Sequence, residues 1–365
     1  MEKPPGVARA ISEAIKSFGN AGRSFHGPSM KAAGAVLDAR LEIVKLTGHV
    51  NPFGVAFTSG ATESLNLAIR SLISPGDHVI TSELEHNSVL RPLYKTGCEL
   101  SYIRCDGGGR LVMDNLDSLV RPNTRFVVCT HGSNLFGTIT DTATLCDFGK
   151  RHGLVSILDA SQTMGCTEIT GDMADIICFT GHKALFGPQG TGGIIVSGDL
   201  DFRLTKTGGS GGDGFAPHQN MEMPDIFEAG THNAHGLAGL TRGVAYVNGI
   251  GVAKIKSHGN RLLREFLNGI DGIPGLILYG DGTADDARLP IVALNVGSLS
   301  ADELARKLWE DYEIATRAGI HCAPLAHKRF GTEGRGMVRF SFGFFNTSGE
   351  IEIAVNALRE IAKNE

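Results

Sequence analysis

The chain lacks most of the features that mark several large protein classes. Among 365 residues there is one tryptophan, and aromatic residues make up only 7%. No apolar stretch approaches the ~20 residues of a membrane-spanning helix. The opening, Met1-Glu2-Lys3-Pro4-Pro5, has no apolar core of a secretory signal. No basic run exists and the formal net charge is −5, so neither nucleic acid nor an anionic membrane is an expected partner. Seven cysteines are scattered without CxxC spacing. That argues against a metal site or a disulfide framework and for reduced thiols in a cytoplasm. There is no internal repeat.

Glycine, by contrast, is plentiful at 49 residues, dispersed at turns rather than periodic. Such dispersal suits an α/β protein with many tight strand-to-helix loops. Between residues 50 and 200, short apolar runs (55–58, 78–81, 100–103, 126–130, 155–158, 176–179) alternate with helical patterns such as Ala61–Leu72. Near-continuous apolar runs alternating with helices predict a mostly parallel sheet covered on both faces. Beyond residue 250 the text changes character. A strand at 290–296, a capping box at Ser300-Ala301-Asp302-Glu303, a strand from Met337 to Phe345 and a helix from Thr347 predict a smaller α+β unit. The segment Gly208–Gly214 reads as a mobile active-site loop or lid. The expected division is an N-terminal segment, 1–20, packing with the small domain, then a large domain, 21–245, and a small C-terminal domain, 246–365.

Polar residues cluster where these runs end. One run closes in Thr180-Gly181-His182-Lys183 before a glycine-rich return, and another ends in Asp159. A lysine partly desolvated at a strand exit has a lowered pKa and an amine free to attack a carbonyl. An aspartate beside it supplies the second group that pyridoxal phosphate requires, a partner for its pyridinium nitrogen. Thr58-Ser59-Gly60-Ala61-Thr62 opens a helix, where free N–H groups and the helix dipole favour an anion; read alone, it is more simply an ordinary helix cap. His86, Asn134 and Gln162 likewise serve singly as loop, turn or cap residues. Arg339, inside an apolar strand, needs an anionic partner.

Taken together, these positions resemble the class V, fold-type I pyridoxal phosphate enzymes of the cysteine desulfurase and selenocysteine lyase family, over nearly the whole chain. The motif Thr316-Arg317-Ala318-Gly319-Ile320-His321-Cys322 carries the resemblance furthest, because there the family's cysteine accepts sulfur. The resemblance implies a large domain with a mostly parallel seven-stranded sheet plus the small α+β domain. Lys183 would bear the cofactor as a Schiff base, and Asp159 would pair with its ring nitrogen. His86 would lie against the ring and move protons, while Asn134 and Gln162 would bond its phenolic oxygen or the nearby substrate carboxylate. Ala61, Thr62, Thr180 and His182 would bind the phosphate, and Thr231 would reach the phosphate of a partner subunit in a homodimer. Arg339, with Arg317, would bind the substrate carboxylate. Cys322 would take sulfur from L-cysteine as a persulfide, its thiolate favoured by Arg317 and His321, and pass it to an acceptor protein or thiol.

The alternatives are a selenocysteine lyase acting on L-selenocysteine, a class V aminotransferase, against which the cysteine motif speaks, and a catalytically silent cofactor-binding protein. Two departures from the family stand out. His232 replaces a usual proline, and an Asn-Ala-Ala-Thr-like turn is missing before Lys3-Pro4-Pro5, which implies either a truncated start or a more open substrate pocket.

Overall fold

The computed structural model describes residues 2–22, 24–209 and 215–365. Five residues of the expected glycine-rich lid, 210–214, lie outside the described residues. The apolar runs form β1 (Val55–Thr58), β2 (His78–Ser82), β3 (Glu99–Ile103), β4 (Thr124–Thr130), β5 (Val155–Asp159), β6 (Ile176–Thr180) and β7 (Gly192–Val196). They make one sheet in the order β1-β7-β6-β5-β4-β2-β3. Strands β3, β2, β4, β5 and β6 run parallel, and β7 lies antiparallel to both β6 and β1. The sheet is therefore mostly parallel, as expected.

The helices of this half are α1 (Pro5–Ser17), α2 (Gly27–Thr47), α3 (Ala61–Leu72), α4 (Asn87–Thr96), α5 (Thr142–Arg151) and α6 (Ala234–Ile250). Alternate strand side chains meet helices on opposite sides. Ile177 and Phe179 pack with Ile43 of α2 and Leu240 of α6, whereas Val79 and Val128 pack with Leu65 of α3 and Val89 of α4.

The chain then forms α7 (Val252–Ile270), β8 (Leu276–Tyr279), β9 (Ile291–Val296), α8 (Ala301–Tyr312), β10 (Arg317–Gly319), α9 (Pro324–Phe330), β11 (Met337–Ser341) and α10 (Ser348–Lys363). Its four strands pair antiparallel in the order β10-β11-β9-β8. Their core joins Phe266, Leu294, Leu304, Val338 and Leu358. Capping boxes form at Ser300/Glu303 and Thr347/Glu350, where the sequence pattern predicts them.

Two expectations are corrected. The strand begun at Met337 ends at Ser341 and does not reach Phe345: the Phe342 N–H donates to Pro290 O (2.9 Å), and Phe345 turns to pack against Phe186 at 5.5 Å. Helix α1 packs along α6, not with the C-terminal sheet. The reason is a small-residue face on α6: a Cβ on Gly239 would sit 2.7 Å from Ile11, so only glycine admits α1 this closely. Among the described residues, no helix is long and apolar enough to cross a membrane.

Candidate active site

The parallel strands all end on one edge of the sheet, where ligands bind in such folds. Beyond β6 the chain turns sharply. Gly181 N donates to Thr191 O (2.8 Å) and Gly187 N to Gly181 O (2.8 Å). A Cβ on Gly181 would collide with the Thr191 hydroxyl, so the turn requires glycine. Lys183 sits on this loop and lines a cavity of about 240 Å³, together with His86, Asn134, Gln162, Arg317 and Arg339. The cavity lies between the edge of the large sheet and strands β10 and β11. Burial lowers the Lys183 pKa, Arg339 and Arg317 push it the same way, and Asp159 opposes them.

Asp159 is the last residue of β5 and is 4% exposed. Its Oδ1 accepts from Ser161 N (2.9 Å) and from the Ser161 hydroxyl. His86 caps α4, and its Nδ1 accepts from Ser88 N (3.0 Å), which leaves the proton on Nε2. Burial lowers the His86 pKa, so the ring is kept neutral. The Ser88 hydroxyl bridges His86 Nδ1 (2.9 Å) and the Thr62 hydroxyl (2.8 Å). Helix α3 begins after Gly60 without a side-chain cap, and a Cβ on Gly60 would meet only Thr180 Oγ1, at 3.5 Å. Thr180 Oγ1 in turn bonds His182 Nδ1 (2.9 Å). An uncapped helix start facing a hydroxyl and an imidazole is a donor set suited to a phosphate ester. Ala61, Thr62, Thr180 and His182 do not line the Lys183 cavity itself; they stand beside it. Lys3 reaches the same place, with Nζ donating to His182 O at 2.7 Å.

On the far wall, Arg317 of β10 lies directly across from Arg339 of β11. Like charges facing each other across a strand pair are unfavourable without an anion. Burial, aided by Arg317, pulls the Arg339 pKa to about 10, and its Nε is buried without a partner. Among the described residues, no aspartate or glutamate lines the cavity. The two guanidinium groups thus fit a carboxylate brought by a ligand. Arg317 Nη2 also lies 3.9 Å from Cys322 Sγ.

His321 and Cys322 form a turn with φ of 54° and 57°, left-handed at both residues. His321 brings no positive charge to the thiol. Its ring is 2% exposed and bonds Arg317 O (3.1 Å), and burial drives its pKa down to about 4, so it carries no charge. Arg317 is the cation at the sulfur.

The family profile named Aminotransferase class-V matches residues 1–353. The chain belongs to that family. It is 31% identical to a probable cysteine desulfurase of Methanothermobacter thermautotrophicus, over 98% of this chain and 92% of the relative. It is 30% identical to a cysteine desulfurase of Klebsiella pneumoniae, over 99% and 91% of the two chains. The apo structure of a cysteine desulfurase from Thermococcus onnurineus superposes with a TM-score of 0.92 at 28% identity, covering 100% of this chain and 93% of that one.

Within this class-V aminotransferase fold, Thr231 lies apart from the Lys183 cavity, in a surface depression with Ser59, Glu63 and Lys206. The expected segment around it is tied down by His232, whose Nε2 bonds Glu228 (2.7 Å); Glu228 also pairs with buried Arg40 and accepts from Phe57 N (2.7 Å). Sequence reasoning missed three residues near the site. Ser161 holds Asp159. Cys166 lines the cavity, its thiol pushed up to about 12 by burial. Glu85, fully buried, accepts from Thr130 N (3.0 Å) beside Asp159. Only Glu85 left a signal: an acid just beyond a strand exit, next to His86.

Proposed function

We propose that this chain is a pyridoxal phosphate-dependent cysteine desulfurase, which converts L-cysteine to L-alanine and takes the sulfur as a persulfide on Cys322. The observation that carries this reading is the pairing of Arg317 and Arg339 at the wall of the Lys183 cavity, with Cys322 Sγ 3.9 Å from Arg317. Relatives that span nearly the whole chain and are named cysteine desulfurases support it over selenocysteine lyase.

The residues fit the cofactor. Ala61, Thr62, Thr180 and His182 suit its phosphate, Asp159 its ring nitrogen, His86 its ring face, Asn134 and Gln162 its phenolic edge, and Lys183 its aldehyde. When bound, pyridoxal phosphate supplies a protonated ring that accepts the electron pair released at an amino acid's Cα. Arg339 and Arg317 hold the substrate carboxylate and so orient Cα toward Lys183. The Lys183 amine, whose pKa burial lowers, takes the α-proton at Nζ. The Cys322 thiolate then attacks the substrate sulfur. An S–S bond forms, the Cβ–S bond breaks, and its electron pair stays with the carbon skeleton, which gains protons and leaves as alanine. An acceptor protein or thiol then removes the outer sulfur of Cys322.

Two larger-scale readings belong to the same proposal. Met30, Leu37 and Leu41, spaced along one face of α2, are 53%, 42% and 47% exposed, which supports a homodimer in which Thr231 serves the partner subunit's phosphate site. Helix α6 packs with the large sheet and α7 with the small one, which supports a large and a small domain whose break falls at Gly251, between the two helices, rather than at 245/246 inside α6.

The test is the initial rate of alanine formation from L-cysteine and from L-selenocysteine, in wild type and Cys322→Ala. Loss of cysteine turnover in the variant, by at least 100-fold, is expected. Turnover of selenocysteine alone, surviving the substitution, would replace this reading by a selenocysteine lyase.

A further inference from the structure

The Cys322 turn is strained, and what restrains it points to a role for Asn134 beyond ring or substrate contact. His321 and Cys322 are consecutive non-glycine residues in the left-handed region, where each Cβ crowds the following carbonyl oxygen. Such a conformation persists only where its surroundings enforce it. The ties are few. Within the turn, Ala323 N donates to Ile320 O (3.0 Å). From the start of α4, Asn87 N donates to Cys322 O (2.8 Å), and from the loop after β4, Asn134 Nδ2 donates to His321 O (2.7 Å). Asn134 is therefore the side chain that grips the turn from the opposite wall of the cavity.

Asn134 is itself immobilised. It is 6% exposed and stands in a loop knotted by Ser133, whose hydroxyl accepts from Leu135 N (3.3 Å) and Phe136 N (3.1 Å). Its carbonyl accepts from Arg339 Nη1 at 2.8 Å. One buried residue thus binds the arginine suited to the substrate carboxylate through its main chain, and the sulfur-accepting turn through its amide. We propose that Asn134 is a positioning residue for Cys322: its amide latches the left-handed turn, so that the thiol is presented to the cavity in register with Arg339.

This rests on the reading of Cys322 as sulfur acceptor, yet the latch itself is measurable without turnover. In Asn134→Asp the shape is kept and the N–H donor is lost, leaving a carboxylate against the His321 carbonyl. In Asn134→Ala the side chain is gone. With both variants checked for wild-type thermal unfolding, the rate of Cys322 alkylation by iodoacetamide is read by mass spectrometry of its peptide, in the cofactor-free protein. A rise of at least three-fold in Asn134→Asp is expected, as the released turn exposes the half-buried thiol; a smaller change overturns the latch. Should Asn134→Ala fail to fold, Asn134→Asp alone decides. On the cofactor-loaded protein, kcat for L-cysteine is expected to fall at least ten-fold with KM within three-fold, because Arg339 remains. A KM that rises in step with the loss would make Asn134 a substrate contact and overturn positioning. If wild type forms no alanine, the desulfurase reading fails, and the alkylation rates still judge the latch.

Discussion

Glu85 shows how much a single residue's surroundings decide. It is fully buried, Ser82 and Thr130 bond one carboxyl oxygen, and the other, Oε2, has no partner. Burial, with a contribution from the Asp159 charge, raises its pKa to about 8 from an ordinary 4.5. At neutral pH the native carboxyl is protonated, whereas in the unfolded chain it is ionised. The unfolded state therefore binds fewer protons between roughly pH 5 and 8, and native stability falls as pH rises through that window. Glu85→Gln removes this dependence. Relative to wild type, the variant is expected to gain stability progressively from pH 5 to pH 8, by roughly 2–4 kcal/mol in all, at about 1.4 kcal/mol per pKa unit. Chemical denaturation at several pH values measures it; parallel curves for the two proteins would mean that Glu85 is ionised in the fold.

At the scale of elements, the site depends on how closely helices approach loops. Helix α6 meets the Lys183 loop at Gly243, where a Cβ would collide with Leu185 O and lie 2.8 Å from the Phe186 carbonyl carbon. Phe186 itself has a φ of 56°, so the loop has little freedom to yield. Gly243→Ala is therefore expected to destabilise the fold by about 1–3 kcal/mol, the range for overpacking. It should also weaken cofactor retention by shifting Lys183. Thermal unfolding and visible absorbance after dialysis read the two effects; an unchanged melting temperature would show that α6 can withdraw. The sequence marked the Lys183 loop as glycine-dependent, but not α6 as its support, because Gly243 is separated from that loop by the whole 190–233 segment. Lys183, Asp159 and His86 were legible for the opposite reason: each lies at or within a few residues of the end of its own strand.

For the whole molecule, the exposed face of α2 sets the expected assembly. Fully burying an apolar side chain contributes about 1.5–3 kcal/mol; Met30, Leu37 and Leu41 are about half exposed, so covering what remains of each contributes about half of that, which favours association. The double substitution Leu37→Lys, Leu41→Lys is expected to halve the mass seen by light scattering and to lower cofactor affinity, since Thr231 lies away from its own chain's cavity. A monomeric wild type would remove both the dimer and the shared site.

Periodicity, capping boxes and turn glycines are encoded between neighbours along the chain. The amino-acid sequence alone therefore determined the strands, the mostly parallel sheet, and the placement of Lys183, Asp159 and His86 at strand ends. Tertiary structure decided what depends on burial and on distant segments. It set α1 against α6, opposed Arg317 to Arg339, left His321 neutral, and latched the left-handed Cys322 turn through Asn134. No local pattern carries these outcomes, because pKa values, like-charge opposition and backbone strain arise only when residues far apart in sequence share one desolvated space.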